Sequence, residues 1–160
     1  MRETLYDRIA AVSYAREWAF GRNPRFYDFT EIGGDCTNFV SQCVYAGAGV
    51  MNYTPVFGWF FRSPDDRTAS WTGVEFFYEF MVSNQSSGPY MREVQEGEVQ
   101  IGDVIQLGNE EGIFYHTLIV TETAPSILVA AHSIDTFNRS LTEYRYDTIR
   151  FLHVEGVRLF

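Results

Sequence analysis

Residues 33–43 read Gly-Gly-Asp-Cys-Thr-Asn-Phe-Val-Ser-Gln-Cys. The two glycines allow a sharp backbone turn. Apolar side chains then recur as Cys36, Phe39, Val40, Cys43 and Val44, the period of a helix with one buried face. The spacing predicts a helix over 35–46, stopped by Gly47 and opening on a cysteine. Upstream, Ile9, Val12, Ala15, Trp18 and Ala19 form another helical stripe ending near Gly21, with Thr4 and Asp7 arranged as a capping box. Asn23-Pro24 breaks it, and Phe26 to Gly34 is read as a loop. Downstream, Ser63-Pro64-Asp65-Asp66 is a loop and 71–82 a third, aromatic-rich helix. Strands are predicted at 103–107, 114–121, 127–131 and 149–159, with a hairpin connection at Ala124-Pro125-Ser126. Helices followed by an antiparallel sheet indicate an α+β fold.

The 160 residues suit one domain over 1–160. The net charge is −9, and all twelve basic residues are arginine. The absence of lysine excludes Schiff-base chemistry and a P-loop lysine. An acidic surface repels phosphate backbones, so no nucleic-acid partner is expected, and it gives no attraction to an anionic membrane. No stretch approaches the roughly 20 apolar residues of a membrane span. The charged N-terminal segment is not a signal peptide. These features fit either a cytoplasmic protein or a mature domain cut from a longer, exported one, and oligomeric state is not legible.

Cys36 and Cys43 lie about 10 Å apart along one predicted helix at ~1.5 Å per residue, too far for a disulfide. At a helix start the dipole stabilises the Cys36 thiolate, and the free Cys36 amide can donate to a developing oxyanion. His116 and His132 stand at matching ends of neighbouring strands, nearly opposite each other if those strands form the hairpin. A cysteine–histidine pair needs an orienting third group. His132 fits that role, and Asp135 is the competing choice. Cys43 is read as inert core and His153 as structural. Asn38 and Gln42 are substrate contacts or packing groups; Trp59 is a groove candidate and Trp71 a core residue. Zinc held by Cys36, His116 and His132 is disfavoured, since none belongs to a close-spaced ligand pair.

The run GGDCTNFVSQC, then Gly102-Asp103-Val104-Ile105, His116-Thr-Leu-Ile-Val and Ala131-His132-Ser133, resembles NlpC-type and CHAP-type cell-wall hydrolases. YDRIAAVSYAREWA and NPRFYDF bring it closest to the bacterial putative amidase domain family of that superfamily. The resemblance implies a papain-like α+β fold with the cysteine helix packed on the sheet. It implies Cys36 as nucleophile, His116 as general base and acid, and His132 as the polar third residue. It also matches Asp35 to the Asp-Cys dipeptide and implies Tyr27 at the oxyanion site. The implied reaction is hydrolysis of a peptide or peptidoglycan-type amide through an acyl-enzyme, with no metal or cofactor. An acyltransferase using the same pair, and an inactive aromatic-rich module binding peptide or cell wall, remain alternatives.

Overall fold

The structure is a computed structural model and describes residues 1–160. Asp7 accepts from the Ala10 amide and so caps α1 (Arg8–Trp18). Thr4, expected to share that cap, instead ends a short strand, β1 (Arg2–Thr4). A long irregular stretch leads to α2 (Cys36–Ala48), which closes on Gly49 in the left-handed conformation at φ 77°. Gly47, expected to stop this helix, lies inside it. The reason is contact with the entry to α1: a Cβ on Gly47 would sit 2.5 Å from Tyr6 and 2.7 Å from the Asp7 carbonyl. The Asp7 amide also donates to the Gly47 carbonyl at 2.9 Å.

A small hairpin, β2 (Phe61–Ser63) and β3 (Asp66–Arg67), follows. The third helix expected over 71–82 is two, α3 (Ala69–Thr72) and α4 (Val74–Ser83), separated at Gly73, whose backbone is extended. The remaining strands are β4 (Gly88–Val94), β5 (Val104–Gly108), β6 (Phe114–Glu122), β7 (Leu128–Ala131), β8 (Thr136–Ser140) and β9 (Thr148–Leu159).

These strands form one antiparallel sheet of seven, in the order β1-β9-β5-β6-β7-β8 with β4 also on β9. The long β9 pairs with β5 along its first half and with β1 at its end, and β4 runs along it from Phe151 to Arg158. With α1, α2 and α4 packed against it, the molecule is α+β, as its sequence pattern indicates. No helix is long and apolar enough to cross a membrane.

Strand alternation gives the sheet two apolar faces. Val104, Ile119, Ala130 and Leu152 meet Phe39, Val40, Cys43 and Val44 of α2. Ile105, Leu107, Leu118, Val120, Val129 and Ala131 form a second core with Leu141 and Phe151. Asp103, fully buried, anchors the far end by pairing with Arg8 at 2.7 Å and His153 at 2.8 Å. His153 is thus fixed by a buried carboxylate.

Candidate active site

Cys36 is the first residue of α2 and is partly exposed. Its amide lies in the first helical turn, where no intrahelical partner exists. At 100° per residue it shares the stripe of Val40 and Cys43, which faces the sheet. The sulfur accordingly meets the Thr117 amide of β6. Burial pushes the Cys36 thiol above its ordinary pKa, against the opposing effect of hydrogen bonds from the Thr117 amide and from Thr37. The second thiol, Cys43, is completely buried, and that burial raises its pKa much further.

From Thr37 a buried polar chain crosses the sheet. The Thr37 and Thr117 hydroxyls lie 2.8 Å apart, and Gln106 Nε2 donates to Thr117 Oγ1 at 3.3 Å. Arg150 donates to Gln106 Oε1 and to Glu75. Thr117, Gln106 and Arg150 carry no periodic or motif signal, and the sequence reading passed over them.

The two strand histidines are not a pair. The hairpin of β6 and β7 sets Ile119 opposite Ala130 and Val120 opposite Val129. Continuing that register outward places Thr117, not His116, across from His132. Side chains alternate along a strand, so a one-residue offset sends the two rings to opposite faces. His116 lies on the face away from α2, its ring 5.9 Å from that of Tyr144. Burial, reinforced by the charge of Arg139, lowers its pKa to about 4. No hydrogen bond joins it to Cys36, and Cys36, His116 and His132 do not converge as a metal site. The expectation that His116 and His132 face each other is corrected on these grounds.

His132 is on the α2 side and 1% exposed. Its ring stacks on Phe39, with centroids 4.0 Å apart. Nδ1 lies 2.5 Å from Asp35 Oδ2, and Nε2 lies 2.9 Å from the Trp18 carbonyl. Asp35, immediately before Cys36, is fully buried. Its other oxygen accepts from the Phe29 amide at 2.8 Å and from Asn38 Nδ2 at 2.9 Å. Asp135 orients neither histidine. Both its oxygens accept from Arg22, at 3.0 and 3.1 Å. Partial burial opposes its ionisation, yet the Arg22 hydrogen bond and charge hold the carboxyl below its usual pKa.

The other candidates divide between scaffold and surface. Asn38 also donates to the Tyr27 carbonyl and accepts from Trp71 Nε1, so its side chain is committed to packing. Gln42 accepts from the Tyr14 hydroxyl at 2.5 Å. Trp59 is completely buried, donates to Ser41 and lies against Trp71, so it lines no groove. The exposed ring of its segment is Phe57, beside a cavity of about 420 Å³ bordered by Asn52, Phe76 and Glu79, with Cys36 not among its walls. Tyr27 is 40% exposed, in the loop that packs on the start of α2 through Phe29 and Asn38.

An α+β fold that presents a cysteine at a helix N-terminus, beside a buried Asp–His pair, defines the class. Residues 5–154 match the family described as "Putative amidase domain", and the chain belongs to that family. Among curated proteins it is similar to two uncharacterized proteins of Bacillus subtilis (strain 168). It is 37% identical to YhbB over 123 residues, 74% of this chain and 38% of that protein. It is 30% identical to YjcM over 144 residues, 83% of this chain and 32% of that protein. The chain thus spans about a third of the length of these relatives. No solved structure matches it.

Proposed function

We propose that this chain is a papain-like cysteine amidase of the NlpC and CHAP kind, with Cys36 as nucleophile and His132, held by Asp35, as its acid and base. The observation that carries the reading is the Asp35–His132 contact at the N-terminus of the cysteine helix, with the Cys36 sulfur on the Thr117 amide, the residue that the strand register sets across from His132. His116, the base implied by family resemblance, sits on the other face of the sheet with its pKa near 4. With its pKa lowered that far it is a weak base for a thiol whose own pKa is raised.

In the proposed reaction Cys36 Sγ attacks an amide carbonyl carbon while its proton passes to His132. The Cys36 amide, with the Tyr27 hydroxyl as second donor, stabilises the oxyanion. As the C–N bond breaks, the imidazolium protonates the leaving amine. Water, deprotonated by the same ring, then cleaves the thioester and frees the acid. The substrate is a peptide or peptidoglycan-type amide. An acceptor amine in place of water would make the same machinery an acyltransferase.

The test is alkylation by iodoacetamide at about pH 6, where an ordinary thiol of pKa ~8.5 is mostly unreactive. If His132 takes the Cys36 proton and so offsets the effect of burial, the expected result is fast labelling at Cys36 alone, slowed by His132→Ala and unchanged by His116→Gln, with Cys36→Ser abolishing amide hydrolysis. A binding module without turnover is the second reading, favoured by the absence of a hydrogen bond from either histidine to Sγ. Slow labelling of Cys36 that no histidine substitution alters would establish that second reading.

A further inference from the structure

The loop between Asn52 and Trp59 holds two apolar side chains out in solvent. Its ends exchange both backbone bonds of an antiparallel bridge, at 2.9 and 2.7 Å. Inside it the Gly58 amide donates to the Thr54 carbonyl, and the Thr54 amide to Asn52 Oδ1. Gly58 admits no side chain, since a Cβ would lie 2.3 Å from the Asn52 carbonyl and 2.5 Å from that of Thr54. At the tip the Phe57 amide donates to the Pro55 carbonyl, with Val56 between them at φ 66°. A three-residue turn with a positive central φ is rare and strained, and a β-branched residue makes it more so. Val56 and Phe57 are left 73% and 84% exposed. Backbone strain of this kind collects at binding sites.

Opposite the tip stands α4. Phe76, Glu79, Phe80 and Ser83 share one helical face, which borders the cavity of about 420 Å³, while Phe77 and Met81 are buried in the core. The loops that close the cavity are joined at the Ser87 carbonyl, which accepts from both Asn52 and Asn84. Those two amides are committed to the joint. The groups left to face a ligand include the rings of Phe57 and Phe76 and the carboxylate of Glu79. Glu75, one turn earlier on α4, is paired with Arg150, but Glu79 is exposed and pairs with no arginine. No basic residue lines the cavity. Arg158, which donates to the Asn84 carbonyl, has its own charge over Tyr90 and beside Glu3.

We propose that this cavity binds an alkylammonium or guanidinium group, its stem on Phe57 and Phe76 and its charge at Glu79. Aromatic faces attract a cation through their quadrupole, and the unpaired carboxylate adds direct charge. An anion would be repelled by Glu79 and by a chain of net charge −9. A neutral ligand would cover Glu79 without giving its charge a partner. Cys36 is not among the walls, so the site stands independently of how the cysteine is read.

The experiment titrates ¹⁵N-labelled protein with four probes and follows the backbone amides by NMR. The probes are Nα-acetyl-lysine methylamide, its Nε-acetylated counterpart, n-butylammonium and N,N′-diacetylchitobiose. The lysine compound is expected to shift amides of residues 54–58 and 76–86. The Nε-acetylated compound, with the same stem and no charge, should bind about tenfold more weakly. Glu79→Gln should erase that preference, and Phe57→Ala or Phe76→Ala should weaken the lysine compound about fivefold. All three side chains are exposed, so the variants retain the fold. Binding of butylammonium as well extends the site to free amines, whereas its failure assigns the site to a basic side chain of a peptide. Equal binding of the charged and neutral lysine compounds would overturn the inference. So would a preference that Glu79→Gln leaves intact, or chitobiose shifting these amides where the lysine compound does not.

Discussion

His116 and His132 project from opposite faces of one sheet, although their strands are hydrogen-bonded neighbours. Register sets this outcome, because Thr117 is the residue that the β6–β7 pairing brings across from His132. Replacing the two histidines should therefore have unequal effects. His132→Ala is expected to lower amide hydrolysis and Cys36 labelling by at least the ~100-fold typical of a lost general base. His116→Gln should leave both within about twofold, since its ring contacts Tyr144 on the far side. Paired rate measurements on the purified variants decide it, and equal losses would restore His116 to the site.

His116 should show itself in acid stability instead. Its pKa is about 4 in the folded chain, against roughly 6.5 for an unperturbed histidine. The unfolded state therefore binds a proton that the folded state refuses between those values. Stability from this group is complete above pH 6.5 and is lost as pH falls toward 4, with a slope approaching about 1 kcal/mol per pH unit. Carboxylates held below their usual pKa, such as Asp135, lose their contribution only at lower pH. Urea denaturation between pH 7 and 4.5 should give a flatter profile for His116→Gln, and an unchanged slope would contradict this assignment.

Much of the architecture is legible where one side-chain period dominates. The stripes of α1 and α2, and the runs that become β5, β6, β7 and β9, stand at or near their expected places. Strands β1, β2, β3 and β8 escaped notice because each is short and carries no buried run, and β4 because Gly-Pro-Tyr-Met-Arg-Glu-Val shows no alternation; their partners, not their composition, make them strands. The site is harder to read. Cys36 and Asp35 follow from a local motif, but the facing of His116 depends on a register that a hairpin loop can shift by one. Arg22 lies in irregular chain, where no repeat marks the residue that holds Asp135. Trp59 and Phe57 are two residues apart, and only packing shows that the phenylalanine faces solvent.

The polar chain beneath Cys36 has its own signature. Thr117 Oγ1 joins Thr37 to Gln106 inside the core. Thr117→Val keeps the shape and the backbone amide that reaches Sγ, yet leaves two buried groups short of a partner. An unsatisfied buried group costs about 1–3 kcal/mol. The variant should lose stability on that scale while Cys36 labelling changes little. Chemical denaturation and alkylation on the same sample separate the two effects, and a loss of labelling without a loss of stability would assign the Thr117 hydroxyl to the chemistry.

Gly47 tests the joint between α1 and α2. On intrinsic propensity alone, alanine in a helix interior is better than glycine by about 1 kcal/mol. The structure reverses that sign, because an added Cβ would lie 2.5 Å from the Tyr6 ring and 2.7 Å from the Asp7 carbonyl. The ring is itself held, its hydroxyl donating to the Gly102 carbonyl at 2.8 Å. Relief therefore requires α1 to shift, and such overpacking costs roughly 1–3 kcal/mol. The Asp7–Gly47 backbone bond should weaken with it. Gly47→Ala is expected to lower Tm, whereas Gly97→Ala, with open space at its Cβ, should not. A Gly47→Ala protein as stable as wild type would mean that the two helices part there more readily than their packing implies.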